Sequence, residues 1–286
     1  MSALDPRLNA IREDLADSRL EGRVNSARFV EGRRASIVAP VLDLKSRPEP
    51  HALIDTQLLC GETVLVFEEQ EGWVWLQADR DGYVGYASAD ALAAPSGEPT
   101  HVVITPRTFV YPGPELKMPP VACHSMGALL TVVDFVENRG TRYARLASGE
   151  TVIAGHLQPA DWQAPDFVAV AETLLHTPYL WGGTSAFGID CSGIVQLALR
   201  LSGSPVLRDT DMQAGSIGEP IDAASDLSVL QRGDLVFWKG HVGIMRDEEV
   251  LLHANGHTMT VASEPLHQAV ERIAHLYGQP TGFRRP

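Results

Sequence analysis

The sequence predicts an α+β protein in which two small all-β barrels precede a larger domain of mixed helices and strands. Short β-branched runs begin at Ala35 and stop before 95–99, a Pro- and Gly-containing segment typical of a linker. Similar runs fill 99–159, and amphipathic helical spacing begins after Pro159. We therefore expect barrels at 35–95 and 99–159 and a third domain at 160–286.

The first 34 residues have a different pattern, with many charged residues between widely spaced apolar ones. Leu8, Ile11, Leu15 and Leu20 recur at roughly helical spacing. This spacing predicts a helical N-terminal extension over 1–34.

The two barrels are predicted from strands of three to nine residues with turn residues between them. In the first barrel these strands cover 37–42, 63–67, 73–77 and 82–86. In the second they cover 102–104, 109–111, 128–136, 143–147 and 151–154. The two segments share this texture but little residue identity, so the repeat is structural.

The third domain is predicted to contain three helices and then three strands. Pro165 opens an apolar stripe that ends at 177–178, a second helix follows Asp190, and Thr210-x-x-Gln213 has the form of a capping box. The strands are expected at 234–238, 241–245 and 250–254, with a turn at 246–249.

Composition excludes several classes of partner. The 286 residues carry a net charge of −13, and both halves of the chain are acidic, so nucleic acid and anionic membranes are not expected as partners. The N-terminus has no apolar run of signal-peptide length, and the three scattered cysteines do not form a disulfide framework. We expect a cytoplasmic protein with free thiols and no cofactor.

Cys191 is the first candidate for chemistry because it stands where a glycine-rich loop enters a predicted helix. Unpaired amides at a helix N-terminus favour thiolate, so we expect the pKa of this thiol to be lowered toward about 7 or below. The thiolate is the nucleophilic form. A free cysteine at this position is also common as a small buried apolar residue, and the local pattern leaves both interpretations open.

Two histidines favour the interpretation of Cys191 as a nucleophile. His241 begins one predicted strand and His253 lies near the end of the next, so the intervening turn is expected to set them opposite each other on one face of the sheet. One ring would accept the thiol proton, and the other would fix its tautomer. His253 and His257 also have the spacing of a helical zinc pair, but Asn255-Gly256 breaks a helix, so no metal site is expected.

These residues belong to a set of motifs that resembles a known family. Residues 162–283 resemble an NlpC-type cysteine peptidase domain, a circularly rearranged relative of papain. The motifs that carry the resemblance are Tyr179-x-Trp181-Gly182-Gly183, Asp190-Cys191-Ser192-Gly193, Arg232-Gly233-Asp234-Leu235-Val236-Phe237, His241-Val242-Gly243-Ile244 and the strand carrying His253. The first barrel is similar to bacterial SH3-like domains in its Gly61-Glu62 turn, its Trp strand at 73–76 and its Gly-Tyr strand at 82–86.

The resemblance implies a papain-like catalytic domain preceded by SH3-like barrels. It implies Cys191 as nucleophile, His241 as base and His253 as the residue that orients the base. Tyr179 would donate its hydroxyl to the oxyanion site beside the Cys191 amide. The reaction implied is hydrolysis of the γ-D-glutamyl–diamino acid bond in cell-wall stem peptides.

A narrower subgroup is indicated by the barrels together with Arg208-Asp209-Thr210. Its members act on small murein tripeptides or tetrapeptides with a free N-terminal L-Ala and release L-Ala-D-Glu, as expected in peptidoglycan recycling. A carboxylate such as Asp209 would pair with the substrate ammonium. The other residues assigned to substrate binding are Trp181, Asp190, Ser192, Thr210 and, from the first barrel, Glu62 and Tyr86.

Three alternatives remain at this stage. The protein could be a general cell-wall hydrolase, it could be an amidase or acyltransferase on the same scaffold, or it could bind wall fragments without catalysis. The binding-protein reading predicts a missing triad member, and none is missing. The sequence predicts no oligomeric state.

Overall fold

The structure is a computed structural model that describes residues 4–95, 97–223 and 226–286. The chain forms two compact units that divide between Asp161 and Trp162. Residues 1–3 of the predicted extension and Ser96 of the predicted linker lie outside the described residues.

The first unit consists of strands joined by turns and three short 3₁₀ segments. Its strands are β1 (Ala16–Asp17), β2 (Phe29–Val30), β3 (Arg33–Ile37), β4 (Val41–Lys45), β5 (Ile54–Leu59), β6 (Thr63–Gln70), β7 (Trp73–Ala78), β8 (Val84–Ser88), β9 (Leu92–Ala93), β10 (His101–Val103), β11 (Arg107–Tyr111), β12 (Ala122–Ser125), β13 (Leu129–Leu130), β14 (Val132–Asn138), β15 (Thr141–Leu146), β16 (Thr151–Ile153) and β17 (Leu157–Pro159).

The first barrel is a seven-stranded sheet in the order β5-β4-β8-β7-β6-β3-β9. Its strands bury alternate residues, such as Leu42 and Leu44 on β4, which is the period of a sheet with one face in the core. Gly85 allows β8 to lie close against β4, because a Cβ there would come within 2.7 Å of the Leu44 side chain.

The predicted N-terminal helix is wrong for the described part of that segment, residues 4–34. This part contains a short parallel pairing of β1 with β2, a 3₁₀ turn at Ser18–Leu20 and the first residues of β3. Leu15 is fully buried in a cluster with Phe67 and Trp75 of the first barrel. Packing against an existing sheet has therefore overridden a weak helical periodicity, in a segment that also contains Pro6 and Gly22.

The second set of strands forms two antiparallel sheets, β12-β11-β16-β15-β14 and β13-β10-β17. Their shared core includes Leu59 of the first barrel. The two barrels approach at Gly61, where a Cβ would lie 2.0 Å from the Leu129 carbonyl oxygen. The Leu129 amide donates to the Cys60 carbonyl oxygen at 2.8 Å.

The described residues of the second unit form four α-helices, a six-stranded sheet and a short two-stranded one. Its elements are α1 (Phe167–Glu172), β18 (Thr184–Ser185), β19 (Gly188–Ile189), α2 (Cys191–Leu201), α3 (Thr210–Ser216), β20 (Glu219–Pro220), β21 (Leu235–Trp238), β22 (His241–Met245), β23 (Val250–Asn255), β24 (Thr260–Pro265), α4 (Leu266–Tyr277) and β25 (Gly282–Arg285). Six strands form an antiparallel sheet in the order β20-β25-β21-β22-β23-β24. Within the described ranges, no helix is long and apolar enough to span a bilayer.

The predicted helices of this unit are confirmed with two corrections. Helix α1 ends at Glu172, five residues before the predicted stop, and the chain continues in turns to His176 at φ 69°. The N-cap of α3 is Asp209 rather than Thr210, so the predicted capping box is wrong. The Gln213 amide instead donates to the carbonyl oxygens of Ser192 and Leu207, because it is fully buried between these segments.

Candidate active site

Cys191 is the first residue of α2, as predicted. Asp190 precedes it in an extended conformation and caps the helix, because its carboxylate accepts a hydrogen bond from the Gly193 amide at 2.7 Å. The Cys191 thiol is buried, contacts the Thr210 hydroxyl at 3.9 Å and is hydrogen-bonded by the Val242 amide of β22. Helix α2 and strand β22 therefore bring Cys191 next to the residue that follows His241.

The pKa of Cys191 contradicts the sequence-based expectation. Burial raises the pKa of this thiol to about 11, and the adjacent Asp190 carboxylate raises it further. The Val242 amide, the Thr210 hydroxyl and Arg208 act in the opposite direction but do not compensate. Desolvation thus outweighs the helix N-terminus, and the resting group is a neutral thiol.

The two histidines meet on one face of the sheet. His241 Nε2 lies 2.8 Å from His253 Nδ1. The pairs of β22 with β23 are Ile244 with Leu252 and Met245 with Leu251. Continued by one residue, this register sets Gly243 opposite His253, so the histidines share a face but lie diagonally rather than directly opposite as predicted.

The histidine pair is buried and continues into a charged pair. His253 is fully buried, and its Nε2 lies 2.8 Å from Glu264 Oε1 on β24. Glu264 is also paired with Arg272 on α4. Burial lowers the pKa of His241 to about 3, with His253 and Arg272 acting in the same direction. The hydrogen bond from His253 holds the pKa of Glu264 down to about 2, assisted by Arg272.

A buried arginine holds the N-terminus of α2 in place. Arg208 is 1% exposed, and its guanidinium donates to Asp190 Oδ2 at 2.6 Å and to Ser192 Oγ at 2.7 Å. Asp190 also accepts a hydrogen bond from the Gly182 amide. The side chains of Asp190 and Ser192 thus already have internal partners, and their predicted contact with substrate stays a prediction.

The loop before β18 carries Tyr179 and Trp181. Burial and the neighbouring Cys191 and Asp190 raise the pKa of Tyr179 above its usual range, so the phenol remains protonated and able to donate. The Tyr179 amide donates to the Met259 carbonyl oxygen at 2.8 Å, which anchors this loop to the β23–β24 turn. Trp181 is 66% exposed, an unusual position for an indole.

Asp209 and Thr210 are half-buried at the start of α3. Asp209 is close enough to Arg208 to raise the pKa of the guanidinium, and Thr210 contacts the Cys191 sulfur. The sequence-predicted residues that the structure brings to Cys191 are therefore Asp190, Ser192, Tyr179 and Thr210, whereas Asp209 is placed only beside Arg208.

The two candidates from the first barrel have different environments. Glu62 is 3% exposed and accepts hydrogen bonds from Arg80 and from the Leu59 amide, each at 3.0 Å. Its carboxylate already has partners inside the barrel, and its assignment to a substrate pocket stays a prediction. The Tyr86 hydroxyl accepts from Arg12 at 3.1 Å in a cavity of about 450 Å³ that Trp73 and Trp75 also line.

Sequence reasoning assigned no role to Arg208, Glu264 or Arg272. Arg208 stood inside a motif that was quoted, but only its burial shows that it pairs with Asp190. Glu264 has no local signal, because its position depends on the register of β23 with β24. Among the described residues, no group of three or more His, Cys, Asp or Glu side chains is arranged to hold a metal ion.

A buried cysteine at a helix N-terminus, packed against an antiparallel sheet that carries a histidine pair, defines a papain-like fold. A family model described as the NlpC/P60 family matches residues 176–275, and one described as the bacterial dipeptidyl-peptidase Sh3 domain matches residues 44–92. A crystal structure of an NlpC/P60 family protein from Bacillus cereus has the same fold, with a TM-score of 0.73, 21% identity, and coverage of 88% of this chain and 99% of that one.

Three curated relatives agree with this class. Dipeptidyl-peptidase 6 of Lysinibacillus sphaericus is 27% identical over 77% of this chain and 87% of its own length. Gamma-D-glutamyl-L-lysine dipeptidyl-peptidase of Bacillus subtilis is 29% identical over 71% of this chain and 72% of its own length. The Escherichia coli protein named "Probable endopeptidase NlpC" is 35% identical over 39% of this chain and 68% of its own length. The chain belongs to the NlpC/P60 family and is a peptidase.

Proposed function

We propose that this protein is a cysteine peptidase that hydrolyses the γ-D-glutamyl–diamino acid bond of murein peptides with a free N-terminal L-Ala. The observation that carries the proposal is the contact between Cys191 and the Val242 amide, which puts the thiol beside His241 and the buried His253. The name of the Bacillus subtilis relative, gamma-D-glutamyl-L-lysine dipeptidyl-peptidase, supports this bond as the target. Release of L-Ala-D-Glu would serve recycling of wall peptides.

Acylation begins with both Cys191 and His241 in their neutral forms. Because the pKa of Cys191 is about 11 and that of His241 about 3, the proton leaves the sulfur only as the bond to carbon forms. His241 Nδ1 accepts it, since Nε2 is engaged by His253. The Cys191 amide, which has no acceptor within the helix at its first position, and the Tyr179 hydroxyl would stabilise the oxyanion.

The tetrahedral intermediate then collapses. The C–N bond breaks, and the His241 imidazolium returns its proton to the departing diamino acid amine. A water molecule, deprotonated by His241, attacks the thioester and frees L-Ala-D-Glu together with the thiol. His241 passes the proton taken from water to the departing thiolate, so it is neutral again at the end of each half-reaction.

The substrate's free amino end is the second part of the proposal. Asp209 is a half-buried carboxylate next to Thr210, whose hydroxyl contacts the Cys191 sulfur. An ammonium paired there is costly to replace by a neutral amide, because the carboxylate loses its partner in a partly desolvated site.

The test is release of L-Ala-D-Glu from synthetic L-Ala-γ-D-Glu-L-Lys and from its diaminopimelate analogue, measured by mass spectrometry. Cys191→Ser should remove nearly all activity without loss of fold, because a hydroxyl is a far weaker acid than a thiol. Cys123→Ser is the matched control, since Cys123 lies on β12 of the first unit and should leave turnover unchanged.

The outcome separates the alternatives. Cleavage at a different bond of the wall peptide would indicate an amidase or acyltransferase, and binding without turnover would indicate a wall-fragment binding protein. Comparable turnover by Cys191→Ser would contradict the nucleophile. A cytoplasmic site of action is part of the proposal; the three unpaired cysteines support it, and cell fractionation tests it.

A further inference from the structure

We propose that Glu264, held by Arg272, is a positioning residue that sets the tautomer of both histidines and so leaves His241 Nδ1 free to accept the Cys191 proton. This inference rests on the proposed function, because it explains how His241 becomes a base. It adds two residues of the β24–α4 segment to the machinery behind the thiol.

The hairpin register explains why Glu264 reaches His253. Strand β23 pairs with β24 so that His253 faces Ala262 and Leu251 faces Glu264. Residues 262 and 264 share a face, and the small side chain of Ala262 leaves space over His253. The Glu264 carboxylate crosses this space and ends 2.8 Å from His253 Nε2.

Arg272 contacts the same carboxylate. It lies on α4, eight residues after Glu264, and the guanidinium contacts the same Oε1 atom that faces His253. Both side chains are partly exposed, at 22% for Glu264 and 29% for Arg272, whereas His253 is fully buried. The relay therefore runs from the surface to the thiol.

With His253 neutral, which is part of the proposal, the protons in this relay follow from one constraint. An ionised carboxylate only accepts, so His253 Nε2 must donate to Glu264. Neutral His253 then has its lone pair on Nδ1, and the 2.8 Å contact requires His241 Nε2 to donate to it. Neutral His241 is consequently unprotonated at Nδ1, the nitrogen that the mechanism uses as base.

Removing Glu264 removes this constraint. His253 can then donate from Nδ1, which forces His241 into the opposite tautomer with its proton on Nδ1. That tautomer cannot accept the thiol proton. We expect Glu264→Ala to lower kcat by about 10- to 100-fold, the scale found for outer partners of functional histidines, with little change in KM.

The pH profile separates a relay from a structural role. The charged and titratable groups that act on the pKa of His241 are His253 from β23, Glu264 from β24 and Arg272 from α4. Cys191 from α2 contacts the amide of the next residue, Val242. Glu264 raises the pKa of His241 and Arg272 lowers it. Glu264→Gln should therefore move the acid limb of kcat/KM to lower pH, and Arg272→Gln should move it to higher pH.

The control is Glu172→Gln. Glu172 is 25% exposed and paired with Arg232 and Arg246, so it matches Glu264 in burial and pairing but does not contact either histidine. It should leave both kcat and the acid limb unchanged. Shifts of the acid limb in the same direction for Glu264→Gln and Arg272→Gln would overturn the relay.

A measurement independent of turnover completes the test. Two-bond ¹⁵N–¹H correlation spectra of the full chain, with His241 assigned from a His241→Asn variant, report which ring nitrogen carries the proton. We expect Nε2–H in the wild type and a mixture in Glu264→Ala. Nδ1–H in the wild type, or no change in the variant, would overturn the relay even if no peptide is cleaved. The expected spectra together with no cleavage of any peptide would count against the proposed function and leave the relay standing.

Discussion

At the scale of single residues, burial controls the chemistry around Cys191. It raises the pKa of the thiol to about 11 and lowers that of His241 to about 3, so both groups are neutral at every physiological pH. A cysteine peptidase with this resting state depends on the direction in which His241 presents its lone pair. Protonation of the thiol is no obstacle as long as the base lies beside it.

The depressed pKa of His241 predicts a stability that falls on acidification. Below pH 6.5 the unfolded chain binds a proton at this histidine, whereas the folded chain does not until about pH 3, so stability is lost as pH falls through this window. Between pH 8 and pH 5 the wild type should lose about 2 kcal/mol more than His241→Asn. Urea denaturation at the two pH values measures this difference.

The control for this prediction is His257→Asn, because His257 is exposed in the β23–β24 turn. This variant should lose the same stability as the wild type on acidification. A loss in His241→Asn as large as in the wild type would mean that His241 is protonated in the folded protein near neutral pH.

Residue-level prediction from sequence succeeded where chemistry and position in an element coincide. Cys191 follows a capping Asp, and His241 and His253 stand on adjacent strands, so their approach could be inferred from spacing. Glu264 could not be inferred, because only the register with β23 and the small Ala262 bring it to His253. The raised thiol pKa was missed because sequence does not reveal how completely a helix N-terminus is desolvated.

At the scale of elements, the N-terminus of α2 depends on an ion pair inside the protein. Arg208 is 1% exposed and joins Asp190 and Ser192, the two neighbours of Cys191, to the segment before α3. A motif that resembles a substrate-binding signature therefore also has a structural function. This explains why Arg precedes Asp209 here: the guanidinium balances a carboxylate that caps the catalytic helix.

Removal of Arg208 should be strongly destabilising. Arg208→Met leaves the Asp190 carboxylate buried without its cation, a change that costs about 3 to 5 kcal/mol. Arg232→Met is the control, because its pair with Asp166 is 38% and 42% exposed and should contribute less than about 1 kcal/mol. Urea denaturation gives both values, and equal losses would contradict a structural function for Arg208.

The prediction of elements from sequence depended on how strong the local pattern was. Helix α2 has an apolar stripe, a capping Asp and a Ser-Gly stop, and it was predicted to the residue. The segment 4–34 has only widely spaced apolar residues. Its Leu15 packs in the core of the first barrel instead of on the apolar face of a helix. Tertiary packing decides such weak cases.

At the scale of the whole molecule, the unit that contains the barrels accounts for more than half of the chain. This first unit has its own cavity at Tyr86, lined by two tryptophans, and a buried Glu62–Arg80 ion pair. Barrels that only tethered the enzyme to the wall would favour intact wall as substrate. Barrels that limit the length of peptide before D-Glu would favour free peptides.

Substrate length is therefore the property that tests the whole chain. We expect L-Ala-γ-D-Glu-diamino acid to be cleaved, and N-acetylation or attachment to muramic acid to lower kcat/KM by at least about 100-fold, because the ammonium that we propose pairs with Asp209 would be lost. Asp209→Asn should narrow the difference in kcat/KM between the free and acetylated peptides, mainly by weakening cleavage of the free-amine peptide. Asp211→Asn is the control, because Asp211 is exposed and lies two residues further along the chain, in α3; it should leave the difference unchanged. The measurement is kcat/KM of the full chain on the free and acetylated tripeptides and on purified wall. Equal cleavage of wall and free tripeptide would show that neither Asp209 nor the barrels select the amino end, and would make the protein a general wall hydrolase.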